Sequence, residues 1–221
     1  MTDFVHLHLH TEYSLLDGAV RLLQVAPDPN DPKKIIKKHP LCDALKARGM
    51  NAVAITDHGN MYGVHTFVSV CRADGIKPII GQEFYVADDM YANTADVLKQ
   101  RYHLILLAKN MTGYKNLMKL SSMAFVDGFY MKPRIDLKHL KEHSEGLICL
   151  SACLAGKVPH LLLQGKYDEA KAAAIEMRDI FAPGDFYIEL QDHHLQEDKV
   201  VMNPLCQIAR EIGVKVVATN D

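Results

Sequence analysis

The stretch Phe4-Val5-His6-Leu7-His8-Leu9-His10 constrains the fold of this chain more than any other. In an extended strand successive side chains point to opposite faces, so the three imidazoles share one face while Val5, Leu7 and Leu9 fill the other. The apolar face predicts a strand buried on that side. Imidazoles massed on the first face need partners for their ring nitrogens, and a metal is the group that satisfies several at once. A purification-tag remnant is disfavoured, because a tag would not alternate with valine and leucine.

Beyond this strand the pattern is one of short apolar runs separated by helical stretches. Thr11 to Gly18 reads as a polar loop ending in a turn, with Asp17 placed to return to the histidines. A helix is expected from about Ala19 and is interrupted by Pro27-Asp28-Pro29-Asn30-Asp31-Pro32, since prolines cannot continue it. The lysines of the 33 to 38 segment read as a solvated face. Further strands are expected over residues 52 to 56, 78 to 86, 102 to 108, 146 to 151, 186 to 190 and 214 to 218. Helices are expected over about 41 to 48, 62 to 74, 112 to 125, 166 to 182 and 196 to 212, with an irregular excursion over 88 to 99 and a loop over 127 to 134 followed by a short helix. With the histidine strand that makes seven strands alternating with helices, the signature of a parallel sheet or a (β/α) barrel. A barrel is favoured over an open sheet because candidate ligands occur on nearly every strand, and only a closed ring brings all strand ends round one centre.

Composition narrows the class. The 221 residues fit one domain of ordinary size, 48% of them hydrophobic and 24% charged, and no apolar run approaches the roughly 18 residues of a membrane span. The acidic start Met1-Thr2-Asp3 carries no secretory signal, so a cytoplasmic chain is expected. Five cysteines with no C-x-x-C pair argue against a disulfide framework or a zinc ribbon. A net charge of −2 excludes a global basic field, leaving only local contacts with a nucleic acid.

Titratable residues gather at strand ends: His6, His8, His10, Asp17, Asp57, His58, Glu83, His103, Cys153, Asp192, His193 and Asp221. Glu83 lies amid apolar strand neighbours, where a carboxylate must be paired, protonated or metal-bound. Mixed imidazole and carboxylate ligands suit zinc, manganese or iron better than magnesium or calcium. A cluster of this size suggests two or three divalent ions, an arrangement suited to hydrolysis of a phosphoester. Periodicity gives no reason for a ligand as early in its strand as His103.

The quoted histidine strand with Thr11-Glu12-Tyr13-Ser14-Leu15-Leu16-Asp17-Gly18, together with Thr56-Asp57-His58-Gly59-Asn60, Lys77-Pro78-Ile79-Ile80-Gly81, Asn116-Leu117-Met118-Lys119-Leu120-Ser121-Ser122, Lys132-Pro133-Arg134-Ile135-Asp136 and Ala218-Thr219-Asn220-Asp221, resembles the N-terminal PHP (polymerase and histidinol phosphatase) domain of bacterial replicative DNA polymerase III alpha subunits. The resemblance covers essentially the whole chain as a single PHP domain, residues 1 to 221, with an insert at about 27 to 38. It implies a distorted (β/α)₇ barrel with a trinuclear metal site at the C-terminal ends of the strands. Matched motif by motif, the ligands it implies are His8, His10, Asp17, His58, Glu83, His103, Cys153 and Asp221, with Asp57 and His193 supporting them and Lys132 or Arg134 holding a phosphate. His6 stands where stand-alone relatives often carry an acid. The family continues past Asp221 with a histidine two residues on and then the polymerase proper, so nucleotide addition is not expected of these residues.

The activity implied is a metal-dependent 3′ to 5′ exonuclease acting on the primer 3′ end. The alternatives are a metal-stabilised scaffold that supports the remainder of the polymerase chain and docks a proofreading subunit or other replisome component, and a small-molecule phosphatase.

Overall fold

A computed structural model of the chain describes residues 4–94 and 101–221. Residues 88–94 of the expected excursion form turns and bends, whereas 95–99, like Met1, Thr2 and Asp3, lie outside the described residues. The first half contains β1 (Gln24–Asp28), β2 (Asp31–Lys38), α1 (Pro40–Ala47), β3 (Ala52–Ile55), α2 (Val64–Ala73), β4 (Lys77–Val86), β5 (Tyr102–Ala108) and α3 (Met111–Val126). The second half contains β6 (Phe129–Tyr130), β7 (Lys132–Ile135), α4 (Leu137–Glu142), β8 (Leu147–Leu150), α5 (Lys157–Leu163), α6 (Tyr167–Arg178), β9 (Phe186–Leu190), α7 (Gln196–Ile212) and β10 (Lys215–Ala218).

The main sheet runs β10-β9-β8-β5-β4-β7-β6, with β3 also pairing β4. Its pairs β3/β4, β4/β7, β8/β9 and β9/β10 are parallel, but β5 is antiparallel to both β4 and β8. A uniformly parallel sheet is therefore corrected at β5, and at the two-residue edge strand β6, which pairs β7 antiparallel. β5 pairs directly beside β4 in the opposite direction, the arrangement of consecutive strands that needs no crossover helix.

At β5 both faces of this sheet are buried, which is why the strand reads as the unbroken apolar run Leu104-Ile105-Leu106-Leu107. Leu104 and Leu106 pack outward with Leu117, Leu120, Ala174 and Ile208 of the helices. Ile105 and Leu107 point inward to Ala54, Leu150 and Ala152, where Leu7, Tyr187 and Val217 also pack. Side chains from the N-terminal segment, the centre of the sheet and its β10 edge thus share one interior, the curled cross-section of a distorted α/β barrel.

The histidine segment is not the regular strand expected. It bridges β3 only at His6–Val53, with Ala54 N–H donating to His6 O at 2.8 Å. Further on, the Leu9 N–H donates to the Thr56 hydroxyl at 2.8 Å while Thr56 N–H donates to Leu9 O at 3.0 Å. A side chain has replaced one rung, so the segment follows β3 without completing a ladder.

Residues 19 to 38 correct a second expectation. Residues 24–38 form an antiparallel hairpin, β1 with β2, and 19–23 lead into it through a bridge of Val20 with Thr11, so no interrupted helix is present. Asp28 and Asp31 accept from the N–H of Asn30 and Lys33 at 2.9 and 3.1 Å, closing the turn, and the prolines sit in a two-stranded ribbon whose outer edges need no donor. Lys33, Lys34, Lys37 and Lys38 are exposed there.

The expected loop over 127 to 134 instead holds the tight pair β6 and β7, turned at Met131 (φ 63°), and β7 extends the sheet on β4. Helix α5 was not anticipated. Its Pro159 falls in the first turn, where no intrahelical N–H bond is lost.

Candidate metal centre

The reversed direction of β5 explains why His103 stands at the beginning of its strand. Tyr85, near the end of β4, pairs with His103, so the start of β5 lies at the same end of the sheet as the C-terminal ends of its parallel neighbours. His58 follows β3 and bridges Glu83, Asp221 follows β10, and His8 and His10 arrive on the N-terminal segment.

Glu83, fully buried, lies at the centre. Its Oε1 is 2.9 Å from His103 Nδ1 and 3.5 Å from His8 Nε2, and its Oε2 is 3.5 Å from His10 Nε2 and also contacts His58 Nδ1. Asp221 Oδ1 lies 2.9 Å from His10 Nε2 and 3.3 Å from His8 Nε2, and Asp17 Oδ2 lies 2.8 Å from His58 Nε2. Three sets result, His8/His10/Asp221, His10/Asp17/His58 and His58/Glu83/His103, each with its ligand atoms within 4.8 Å of one another. Neighbouring sets share His10 and His58, whose rings stack at 4.0 Å.

The hydrogen bonds behind the rings fix which nitrogens face the centre. His8 Nδ1 is 2.7 Å from Glu189 Oε1, a carboxylate that also accepts from Gln191 and Thr219, so Nδ1 carries the proton. His10 Nδ1 lies 3.0 Å from Ser14 Oγ. That hydroxyl spends its own proton on Asp57 Oδ1 at 2.7 Å, so it accepts from His10. In their neutral forms both rings then aim an Nε2 lone pair inward, and these two atoms are 3.2 Å apart. Two lone pairs at that distance repel unless a positive charge lies between them. The separation matches the ~3.3 Å between ligands that bonds of about 2.0–2.1 Å make at a tetrahedral centre. Both Glu83 oxygens and His58 Nδ1 are buried without a well-formed hydrogen bond, which again fits a cation.

The titration directions carry the same demand. Burial disfavours the charged form of His8, but hydrogen bonds to Glu189 and Glu83 outweigh it and hold the imidazole well above its ordinary pKa. Burial works against ionised Glu83 too, and His103, His58 and His8 outweigh it, keeping the carboxyl well below the usual range. Burial opposes protonation of His58, yet Glu83 and Asp17 raise its pKa. The pocket is built to hold positive charge, whether as protons or as metal.

Seven of the eight ligands implied by the resemblance meet here. Cys153 stands beside them, its Sγ 3.8 Å from His103 Nδ1, with its thiol pushed up by burial and Glu83, and it belongs to none of the three sets. Asp57 turns away from the centre and ties down the 11–14 loop through the Thr11 N–H (2.6 Å), the Thr11 hydroxyl (2.7 Å) and Ser14. His6 stays apart with its ring edge-on to Phe4, and burial and Arg48 lower its pKa. His193 and Asp192 are exposed on the loop after β9 and do not join the centre.

Arg134 corrects the expectation of a phosphate contact. It is fully buried and donates to the carbonyls of Gly128, Ala92 and Met90 at 3.0, 3.0 and 2.9 Å and to Asn93 Oδ1 at 3.3 Å. Its donors are spent on holding the backbone. Arg101 and Lys132 line the mouth of the site instead, in an open pocket of about 360 Å³ with Leu15, Asp17, His58, Tyr85 and His103. Sequence reasoning missed Glu189, Ser14 and Tyr85. A carboxylate inside the apolar run Phe186-Tyr187-Ile188-Glu189-Leu190 was the available signal, the same one that exposed Glu83.

A constellation of side chains able to hold metal at the strand ends of a curled α/β barrel defines a class, and the chain belongs to the PHP domain family, whose sequence pattern matches residues 35–193. Within it the chain is similar to DNA polymerase III subunit alpha. It is 47% identical over 221 residues to that of Treponema pallidum (strain Nichols), covering 99% of this chain and 18% of that protein. It is 44% identical over 225 residues to that of Thermus aquaticus, covering 99% of this chain and 17% of that protein. The chain thus spans under a fifth of the length of these curated relatives. Among solved structures, a Bifidobacterium adolescentis protein assigned as a metal-dependent phosphoesterase shares the fold, with a TM-score of 0.51 at 13% identity over 97% of this chain and 85% of that one. Among the described residues no helix is long and apolar enough to cross a membrane.

Proposed function

We propose that this chain is the N-terminal PHP domain of a cytoplasmic replicative DNA polymerase III alpha subunit, and that it hydrolyses phosphodiesters as a 3′ to 5′ exonuclease on the primer end. The observation that carries this reading is the row of three adjoining ligand sets, two of which reach through Asp17, His58 and His103 into a pocket that Arg101 and Lys132 also line. His8, His10, Asp17, His58, Glu83, His103 and Asp221 would hold two or three divalent ions, zinc, manganese or iron, with Cys153 at the margin. Bound there, such ions polarise a phosphoester oxygen and lower the pKa of water. Glu189 and Ser14 hold the His8 and His10 rings in the ligating tautomer. Lys132, 5.3 Å above the Tyr85 ring, and Arg101 orient the substrate phosphate by charge. The polymerase relatives favour a polynucleotide over a small phosphate ester.

A scaffold role has its own supporting observation. The same side chains link the N-terminal segment, β4, β9 and the residue beyond β10, so the centre also ties together the edges of the curled sheet. In that reading the domain supports the rest of the polymerase and docks a proofreading subunit. A mismatched primer incubated with the metal-loaded chain separates the two. Release of 3′ nucleotides that His10→Ala abolishes supports the exonuclease. Metal-dependent thermal stability without any release supports the scaffold.

A further inference from the structure

We propose that Leu15 is the contact in this pocket for the base of the terminal nucleotide, an inference that rests on the phosphodiesterase reading and names its substrate contact. Leu15 and Leu16 are adjacent large apolar side chains standing in water, at 83% and 108% exposure. Their loop is fixed at its base. Thr11 and Ser14 are bound to Asp57, and Ser14 O accepts the N–H of Asp17 at 3.1 Å and of Gly18 at 2.9 Å. Glu12 N–H donates to Val20 O at 2.9 Å, and the Glu12 carboxylate accepts the Leu22 N–H at 3.1 Å. The exposure is therefore held in place.

Leu16 adopts φ 71°, a left-handed conformation that costs a residue with a Cβ. That turn reverses the chain between Leu15, which lines the pocket, and Asp17, which reaches His58 Nε2 at 2.8 Å. Backbone strain and unburied apolar surface occur together beside a charged centre, as they do where a fold is held for a ligand.

The pocket joins two chemistries. Arg101, Lys132 and the ligand sets suit a phosphate, whereas Leu15 offers a surface that gains only by covering something apolar and close to that phosphate. A nucleotide carries both groups within one unit, and a simple phosphate ester carries only the first. About 360 Å³ falls within the ~300–1,000 Å³ of small-molecule sites.

The test uses 5′-fluorescein-labelled single-stranded oligodeoxynucleotides ending either in a normal 3′ nucleotide or in an abasic one, their last linkage a hydrolysis-resistant phosphorothioate, with binding read by anisotropy on the manganese-loaded chain and release read on the unmodified oligonucleotides. The wild type is expected to prefer the normal end by about fivefold, the size of a modest base contact. Leu15→Ser is expected to erase the preference and Leu15→Met to keep it, with metal content unchanged in both. Equal binding of the two oligonucleotides by the wild type, or no binding of either, overturns the proposal. So does a preference that survives in Leu15→Ser, which would leave Leu15 as a contact for another protein segment. A preference for the normal end without release of nucleotides supports the base contact while refuting the exonuclease reading.

Discussion

Replacing Ser14 by alanine tests the logic of the centre without touching a ligand. The Ser14 hydroxyl is 2% exposed and serves three partners: it donates to Asp57 Oδ1 at 2.7 Å and accepts from His10 Nδ1 and the His58 N–H, both at 3.0 Å. Asp57 keeps two donors from Thr11, so its loss is one charge-assisted hydrogen bond, about 1.5–3 kcal/mol. Leaving the His10 and His58 donors unpaired adds ~1–3 kcal/mol each, less whatever a water entering the site recovers. A net destabilisation of about 3–4 kcal/mol is expected, a large share of the ~5–15 kcal/mol of a typical domain. With its Nδ1 acceptor gone, His10 is also free to carry its proton on Nε2, in competition with a cation, and affinity for zinc should fall about 10–100-fold. Urea unfolding of the metal-free chain measures the first effect, and competition with a chromophoric chelator measures the second. Unchanged zinc affinity in Ser14→Ala would refute the assignment of tautomers, whatever happened to stability.

Three further outcomes follow from particular contacts. Arg134→Lys cannot span the carbonyls of Gly128, Ala92 and Met90, so it should lower stability by ~2–4 kcal/mol in chemical denaturation and leave oligonucleotide binding intact. Leu16→Gly should raise stability by about 1 kcal/mol in the same assay by relieving its left-handed backbone, and a loss would show that the side chain is held by a contact. Burial raises the pKa of Asp136, but hydrogen bonds from the His139 N–H and ring and the Met90 N–H outweigh it and hold the carboxyl below its ordinary value. A depressed folded pKa stabilises above the unfolded value and is lost as pH falls through the folded one. Asp136→Asn, which can still cap α4, should therefore flatten that part of the acid limb in urea titrations below the usual carboxylate range, and an unchanged limb would count against the assignment.

What was legible in the sequence depended on how local its cause was. Helices α1, α2, α3, α6 and α7 and strands β3, β4, β5, β8, β9 and β10 lie close to their expected ranges, because apolar runs and their punctuation are local. The direction of β5 was not legible, since a run buried on both faces carries no sign of which way its chain runs. His103 stood among the candidates and was given a ligand's role by the resemblance, and its place early in the strand became intelligible only with that reversal. The 19 to 38 segment was misread because prolines report where a helix cannot be and are silent on whether a ribbon forms. Arg134 illustrates a further limit: a basic residue in a loop-like stretch looks the same in sequence whether its acceptor is a phosphate or three carbonyls of its own chain.

The reversed β5 also bears on how the chain reaches this structure. Antiparallel pairing of β4 with β5 joins segments close in the chain, so Glu83 and His103 meet over a separation of only 20 positions. The partners His8 and Glu189, by contrast, are separated by 181 positions in the chain. Local pairings form sooner than distant ones, because less chain entropy must be surrendered before the contact is made. The β4/β5 pair with its central carboxylate can thus assemble before β9 and β10 arrive, holding a half-built cation trap open on one side. Binding a metal at that stage would recruit the N-terminal histidines, and assembly in the presence of zinc should then be faster as well as more stable, a signature visible in stopped-flow refolding.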